Sequence, residues 1–268
     1  MRQVFARYEK DGRIVTVTMQ RPEVRNTFAD QQDCRDLIDV LRRANDDPET
    51  SVLILTGEGS AFSMGGSLDS IRDRAGIGPV PGAGPTRINY KRGVQQIPLV
   101  MAELEIATIA AMNGHAAGLG LDIACLCDLR ILSAKAKVAS SFVKVGMIPG
   151  DGGAWILPRI IGHARASEMM LTGDFYTAEA ARDFGLATAV VPPDQVMAEA
   201  RRLAERIAVN APHAVRLSKR LLRESQHGRL SDVLELSAAL QALAHETADH
   251  REGIAAILEK REPRFTGK

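Results

Sequence analysis

Residues 106–132 read IATIAAMNGHAAGLGLDIACLCDLRIL. The apolar run at 106–112 carries no charge and stops at Asn113-Gly114, which predicts a buried strand ending in a turn. Small side chains then continue to Gly120, LDIACL reads as an apolar helix, and LRIL at 129–132 reads as a second strand. Strand, small-residue loop, helix and strand in that order make a parallel unit buried on both faces. The same pattern stands upstream, where VLILT at 52–56 runs through Gly57 and Gly59 into SAFSMGGSL at 60–68.

Working outward, RIVTVTM at 13–19 predicts a strand paired with residues 4–8 across an Asp11-Gly12 hairpin turn. Residues 30–44 (DQQDCRDLIDVLRRA) have helical spacing, and TAVV at 188–191 supplies another strand. The fold class is α/β. Residues 76–85 (GIGPVPGAGP) hold four Gly and three Pro, which predicts a surface loop rather than a helix or central strand. After Pro192-Pro193 the strand signal ends and residues 194–260 read as helices with stops at Pro212 and Gly228. The boundary therefore falls near 193, with an α/β core over 1–193 and a helical region over 194–268.

Composition narrows the function classes. The 268 residues are 45% hydrophobic and 25% charged, enough for a sizeable core, and the net charge of +1 gives no global field for nucleic acid or an anionic membrane. Neither is expected as a partner. Cys34, Cys125 and Cys127 cannot all pair, and the last two lie in an apolar segment; reduced buried thiols and a cytoplasmic location follow. The N-terminal residues lack a signal peptide's apolar block, and no stretch approaches the ~18 apolar residues of a membrane span. Neither glycine-rich loop completes G-x-G-x-x-G, and no G-x-S-x-G or Walker phosphate loop occurs, so a nicotinamide site, a hydrolase elbow and a nucleotide cradle are disfavoured. His245 and His250 stand five apart, outside the one-turn spacing of a zinc pair, and read as a solvated helix face. His115 beside Gly114 offers a catalytic reading, but a histidine packed or hydrogen-bonded near a turn is the stronger one. No metal and no resident cofactor is expected.

The two small-residue loops remain. Where such a loop opens a helix, its first N–H groups have no intrahelical partner and point outward. If Met64 and Leu119 each turn an N–H to one point, they form a two-donor hole for a carbonyl becoming an enolate. Asp122 lies one turn into the second helix, where a carboxylate could move a proton beside that enolate. The opposing reading is that Gly118 and Gly120 serve close packing and that Asp122 is a helix-start acid. Spacing alone leaves both open.

Five segments bear a resemblance. LTGEGSAFSMGGSL (55–68), IAAMNGHAAGLGLDIACLCDLRILS (109–133), VGMIPGDGGAWILPRIIG (145–162), LTGDFYTAEAARDFGLATAVV (171–191) and EKREPRFTGK (259–268) resemble, in order, the signatures of the enoyl-CoA hydratase/isomerase (crotonase) superfamily. The resemblance implies a crotonase-like spiral of ββα units with a C-terminal helical trimerisation region, assembled as a homotrimer or a dimer of trimers. It implies an acyl-CoA thioester substrate, coenzyme A being part of that substrate, with the oxyanion N–H groups at Met64 and Leu119. Ser63, Gly65, Gly66 and Gly118 flank them as substrate-binding positions. Asp122 matches the first carboxylate of the family's hydratases, usually a Glu, whereas Phe142 stands at the second. Asp151, Ser140 and Ser141 are candidates to compensate, Asp151 being equally a candidate helix cap. Arg25 matches the first nucleotide contact, and Lys260 and Phe265 match positions that approach the adenine end from a neighbouring subunit. Ser67 replaces a common Asp, which implies a lost structural hydrogen bond. Hydration of a 2-enoyl-CoA is the leading expectation. A 3,2-enoyl-CoA isomerase working with one carboxylate is the alternative, and a non-catalytic acyl-CoA-binding member is the third.

Overall fold

A computed structural model describes residues 4–268. Its first hairpin joins β1 (Ala6–Asp11) to β2 (Ile14–Met19) in antiparallel register, turning at Gly12 with φ +57°, a backbone angle that favours glycine. The helix α1 (Gln31–Asp46) starts in a capping box: the Asp30 carboxylate accepts from the N–H groups of Gln32 and Asp33, and the Asp33 carboxylate accepts from that of Asp30. Then follow β3 (Val52–Gly57), β4 (Ala61–Ser63), α2 (Leu68–Arg72), α3 (Ala83–Arg92) and α4 (Gln96–Glu103). The next stretch holds β5 (Ala107–Met112), β6 (His115–Ala117), α5 (Leu119–Leu126), β7 (Leu129–Ser133), β8 (Lys137–Ala139) and α6 (Gly153–Thr172), the last broken at Gly162. The chain closes with β9 (Tyr176–Thr177), α7 (Ala178–Asp183), β10 (Ala189–Val191), α8 (Val196–Ala208), α9 (Pro212–Ser225), α10 (Leu230–Glu246) and α11 (Ala248–Glu259).

Two sheets result. The larger has the order β1-β2-β3-β5-β7-β10 and is parallel beyond the hairpin; the smaller has the order β4-β6-β8-β9 and is parallel except at β9. From β3 to β8 each pass of the chain places one strand in each sheet and then a helical stretch. This is the spiral of ββα units that the family resemblance implies. Alternation along β3 divides the core: Leu53 and Leu55 join the large cluster with α1, α4 and α5, while Val52 and Ile54 face α8 through Val196, Ala200 and Ala204. That packing makes α8 a layer of the core, so a boundary at 193 cuts through it.

Two local expectations are corrected. The Gly/Pro run does not stay a loop, because α3 begins inside it at Ala83; Pro85 sits in the first turn, where a missing N–H costs no helical bond. The smaller sheet passes through both segments read as small-residue loops, as three-residue strands. His115 does belong to the framework, its Nδ1 accepting from the Lys137 N–H at 3.0 Å. Among the described residues no helix is long and apolar enough to cross a membrane.

Candidate active site

Residues 21–28 are stitched to the end of β4. Asn26 is fully buried; its Nδ2 donates to the Glu58 and Ala61 carbonyls, each at 2.9 Å, and its Oδ1 accepts the Arg21 N–H at 2.8 Å. Ser63 Oγ donates to the Asn26 carbonyl at 2.7 Å, and Phe28 and Gly66 form a parallel bridge. These bonds hold Arg25 and Asn26 at φ 54° and 55°, a left-handed pair that costs about 1–3 kcal/mol per residue when unsupported. They also decide Met64. The turn brings the Arg25 carbonyl over it, and the Met64 N–H donates there at 3.1 Å. The expectation of two free donors is corrected at this position.

The other donor is free. Gly118 (φ 53°) donates its N–H to the Ala139 carbonyl at 3.0 Å and leads into α5, where the Leu119 N–H, first of the helix, meets no acceptor among the described residues. Glycines bring the two loops into contact: a Cβ on Gly65 would stand 2.7 Å from the Ala117 carbonyl oxygen, and one on Gly120 would stand 2.1 Å from that of Ser63. Close packing and an unpartnered N–H at a cleft-lining residue thus occur together here.

Asp122 and Asp151 differ in their access to the cleft. Asp122 is 1% exposed and does not line the cleft; its Oδ2 accepts the Gly153 N–H at 3.1 Å. Burial first, and the Asp151 charge second, push its carboxyl well above the usual range. The expectation that Asp122 stands beside the enolate is therefore corrected. Asp151 does line the cleft, and burial alone pushes it up to about 6. It does not cap α6: Gly152 is the N-cap residue and contributes no side chain.

The cleft encloses about 580 Å³. Its lining includes the charged Arg25, Glu23 and Lys144, the loop residues Met64, Gly66, Gly118 and Leu119, the buried Phe142 and Asp151, and Ile71, Ile77, Tyr90, Val94, Met147 and Phe175. Glu23 and Asp69 also line it but are exposed, leaving Asp151 as its one buried carboxylate among the described residues. The Phe142 ring faces Gly118, 3.5 Å from where a Cβ there would be. Burial pushes all three thiols up to about 12, so none is a ready nucleophile.

A sequence profile described as enoyl-CoA hydratase/isomerase matches residues 9–268. The chain belongs to the enoyl-CoA hydratase/isomerase family. It is 35% identical over 255 residues, 95% of each chain, to a 1,2-epoxyphenylacetyl-CoA isomerase of Escherichia coli, and 31% identical over 261 residues, 97% of each, to a crotonyl-CoA hydratase of Syntrophomonas wolfei. A crystal structure of an enoyl-CoA hydratase from Bacillus anthracis superposes with a TM-score of 0.90 at 30% identity, covering 98% of this chain and 100% of that one.

Within this family member, some sequence-predicted residues lie off the cleft. Ser63 is fully buried and works as a stitch; Gly65 serves packing from behind. Lys260 caps α11 in left-handed geometry, and Phe265 packs on Gly253; neither lines the cleft of its own chain. Ser67, for which a lost hydrogen bond was expected, caps α2 by accepting the Ser70 N–H at 3.3 Å. Ser140 is buried with an unpartnered hydroxyl, whereas Ser141 lines the cleft. Tyr90 escaped the sequence reading; it stands on α3, a helix hidden by the Gly/Pro run that opens it.

Proposed function

We propose that the chain is an acyl-CoA isomerase that moves one proton between C2 and C4 of a 3-enoyl thioester, with Asp151 as the carrier. The carboxylate of Asp151 removes a C2 proton, and the electron pair delocalises as a dienolate whose charge rests on the thioester oxygen. The Leu119 N–H donates to that oxygen. The protonated Asp151 then returns the proton at C4, giving the conjugated 2-enoyl thioester. With a carboxyl near 6, Asp151 is mostly ionised at pH 7 yet close enough to give the proton back.

The observation carrying this reading is the single buried carboxylate among the described residues of the cleft, with Phe142 at the position where the family resemblance would put a second. Water addition needs one group to activate water and another to protonate the adjacent carbon, whereas a 1,3 shift needs one. Arg25, exposed at the cleft edge, fits a phosphate of coenzyme A. Exposed apolar side chains on α10 and α11, among them Leu234, Leu243 and Ile257, support assembly as a trimer or a dimer of trimers. The test is incubation with a 3-enoyl-CoA while following conjugated enoyl-thioester absorbance. A rise that Asp151→Asn reduces by ~10²-fold or more is expected; faster consumption of a 2-enoyl-CoA than formation of one would return the assignment to hydratase.

A further inference from the structure

The reading above gives Asp122 no contact with substrate, yet its surroundings are built. The helix α6 starts at Gly153, and its N-cap residue, Gly152 at φ +101°, offers no side chain to the first N–H groups. The cap comes from another helix: Asp122 Oδ2 on α5 accepts the Gly153 N–H at 3.1 Å. A Cβ on Gly153 would stand 2.4 Å from Asp122 Oδ1, so the carboxyl reaches that backbone only because residue 153 is glycine. Asp151 lies two residues upstream of the anchored N–H, in a bend also held by the Gln95 Nε2 donation to the Gly150 carbonyl at 2.9 Å, with Pro98 3.3 Å from where a Cβ on Gly152 would be.

We propose that Asp122 is a positioning residue that anchors the start of α6 and thereby aims the Asp151 carboxylate into the cleft, itself moving no proton. The inference rests on Asp151 being the proton carrier. Three other titratable groups feel the Asp151 charge: Cys34 on α1, Tyr90 on α3 and Asp122 on α5. Burial pushes the titration of each upward. The acceptor that the Gly153 N–H finds in Asp122 Oδ2 is what an asparagine amide oxygen reproduces.

The experiment measures pH profiles of kcat and KM on a 3-enoyl-CoA for wild type, Asp122→Asn, Asp122→Ala and Asp151→Asn, together with a carbon NMR titration of the Asp151 carboxyl. Asp122→Asn keeps an acceptor for Gly153 and is expected to hold kcat within about threefold with an unmoved acid limb, against the ~10²-fold or greater loss of a proton-transfer group. Asp122→Ala strands a buried N–H; kcat falls about tenfold or more with KM within about threefold, and Asp151 titrates lower as water reaches it. Loss in Asp122→Asn equal to that in Asp151→Asn overturns the inference, as does an Asp122→Ala protein with wild-type kinetics and an unmoved Asp151 titration. Should wild type leave every enoyl thioester unchanged, the proposed function falls instead, and the NMR titration still decides whether Asp122 governs the setting of Asp151. Should Asp122→Ala fail to fold, the comparison of Asp122→Asn with Asp151→Asn decides alone.

Discussion

At the scale of single residues, the Asp151 carboxyl links stability to chemistry. Its folded pKa of about 6 lies above the model-peptide 3.8, so the folded chain holds that proton more tightly than the unfolded one. The favourable contribution is complete below pH 4 and is lost as pH rises through 6, leaving a cost of about 3 kcal/mol when the buried group is ionised. Asp151→Asn is therefore expected to raise stability by ~1–3 kcal/mol at pH 8 and to change it little at pH 4, read from urea midpoints, while isomerisation is lost. The acid limb of kcat/KM in wild type is expected near 6. Phe142 makes the complementary case. Phe142→Glu places a second carboxylate beside Gly118; the ratio of hydration to isomerisation, measured by separating the products, is expected to rise about tenfold or more. The same change costs about 3 kcal/mol, because it removes ring packing and buries a charge without a partner.

At the scale of elements, the site depends on backbone approaching backbone between β4 and the start of α5. Gly65→Ala adds a Cβ 2.7 Å from the Ala117 oxygen at a residue with φ +83°, so the loops must part and carry Leu119 away from the cleft. The expected result is a drop in kcat of about 10²-fold with the fold retained, an effect of the size seen when one oxyanion donor is lost. The long strands β3, β5 and β7 were legible because each is a run of five or six mostly buried residues bounded by turn signals. The smaller sheet was not, since three residues are too few to show a period of two. Nor could spacing show that the left-handed turn at Arg25 and Asn26 occupies the Met64 N–H, or that Asp122 points at Gly153 rather than into the cleft, because both follow from contacts between distant segments. His245 and His250 teach the same point. They read as one helix face, but the chain breaks between α10 and α11, and Nδ1 of His245 lies 2.9 Å from Nε2 of His250.

At the scale of the whole molecule, residues 261–268 fold back onto α11. The buried Asp249 accepts the N–H groups of Thr266 at 2.6 Å and Gly267 at 2.8 Å, Glu252 pairs with Arg261 at 2.6 Å, and Arg13 Nη2 donates to the Phe265 carbonyl. This clip costs a buried carboxylate, which is stable there because charge-assisted bonds replace its water. Neither Lys260 nor Phe265 reaches the cleft of its own chain, so a part for them in binding requires a second copy, as a trimer would supply. Asp249→Ala separates the possibilities. It frees the tail, and with the tail meeting the adenine end of a neighbour's substrate, KM for the acyl-CoA is expected to rise about fivefold, whereas KM for the matching acyl-pantetheine, which lacks the adenine, stays unchanged. Equal KM changes for both thioesters would mean that the clip supports the fold alone. Light scattering on the same variant shows whether the assembly survives loss of the clip.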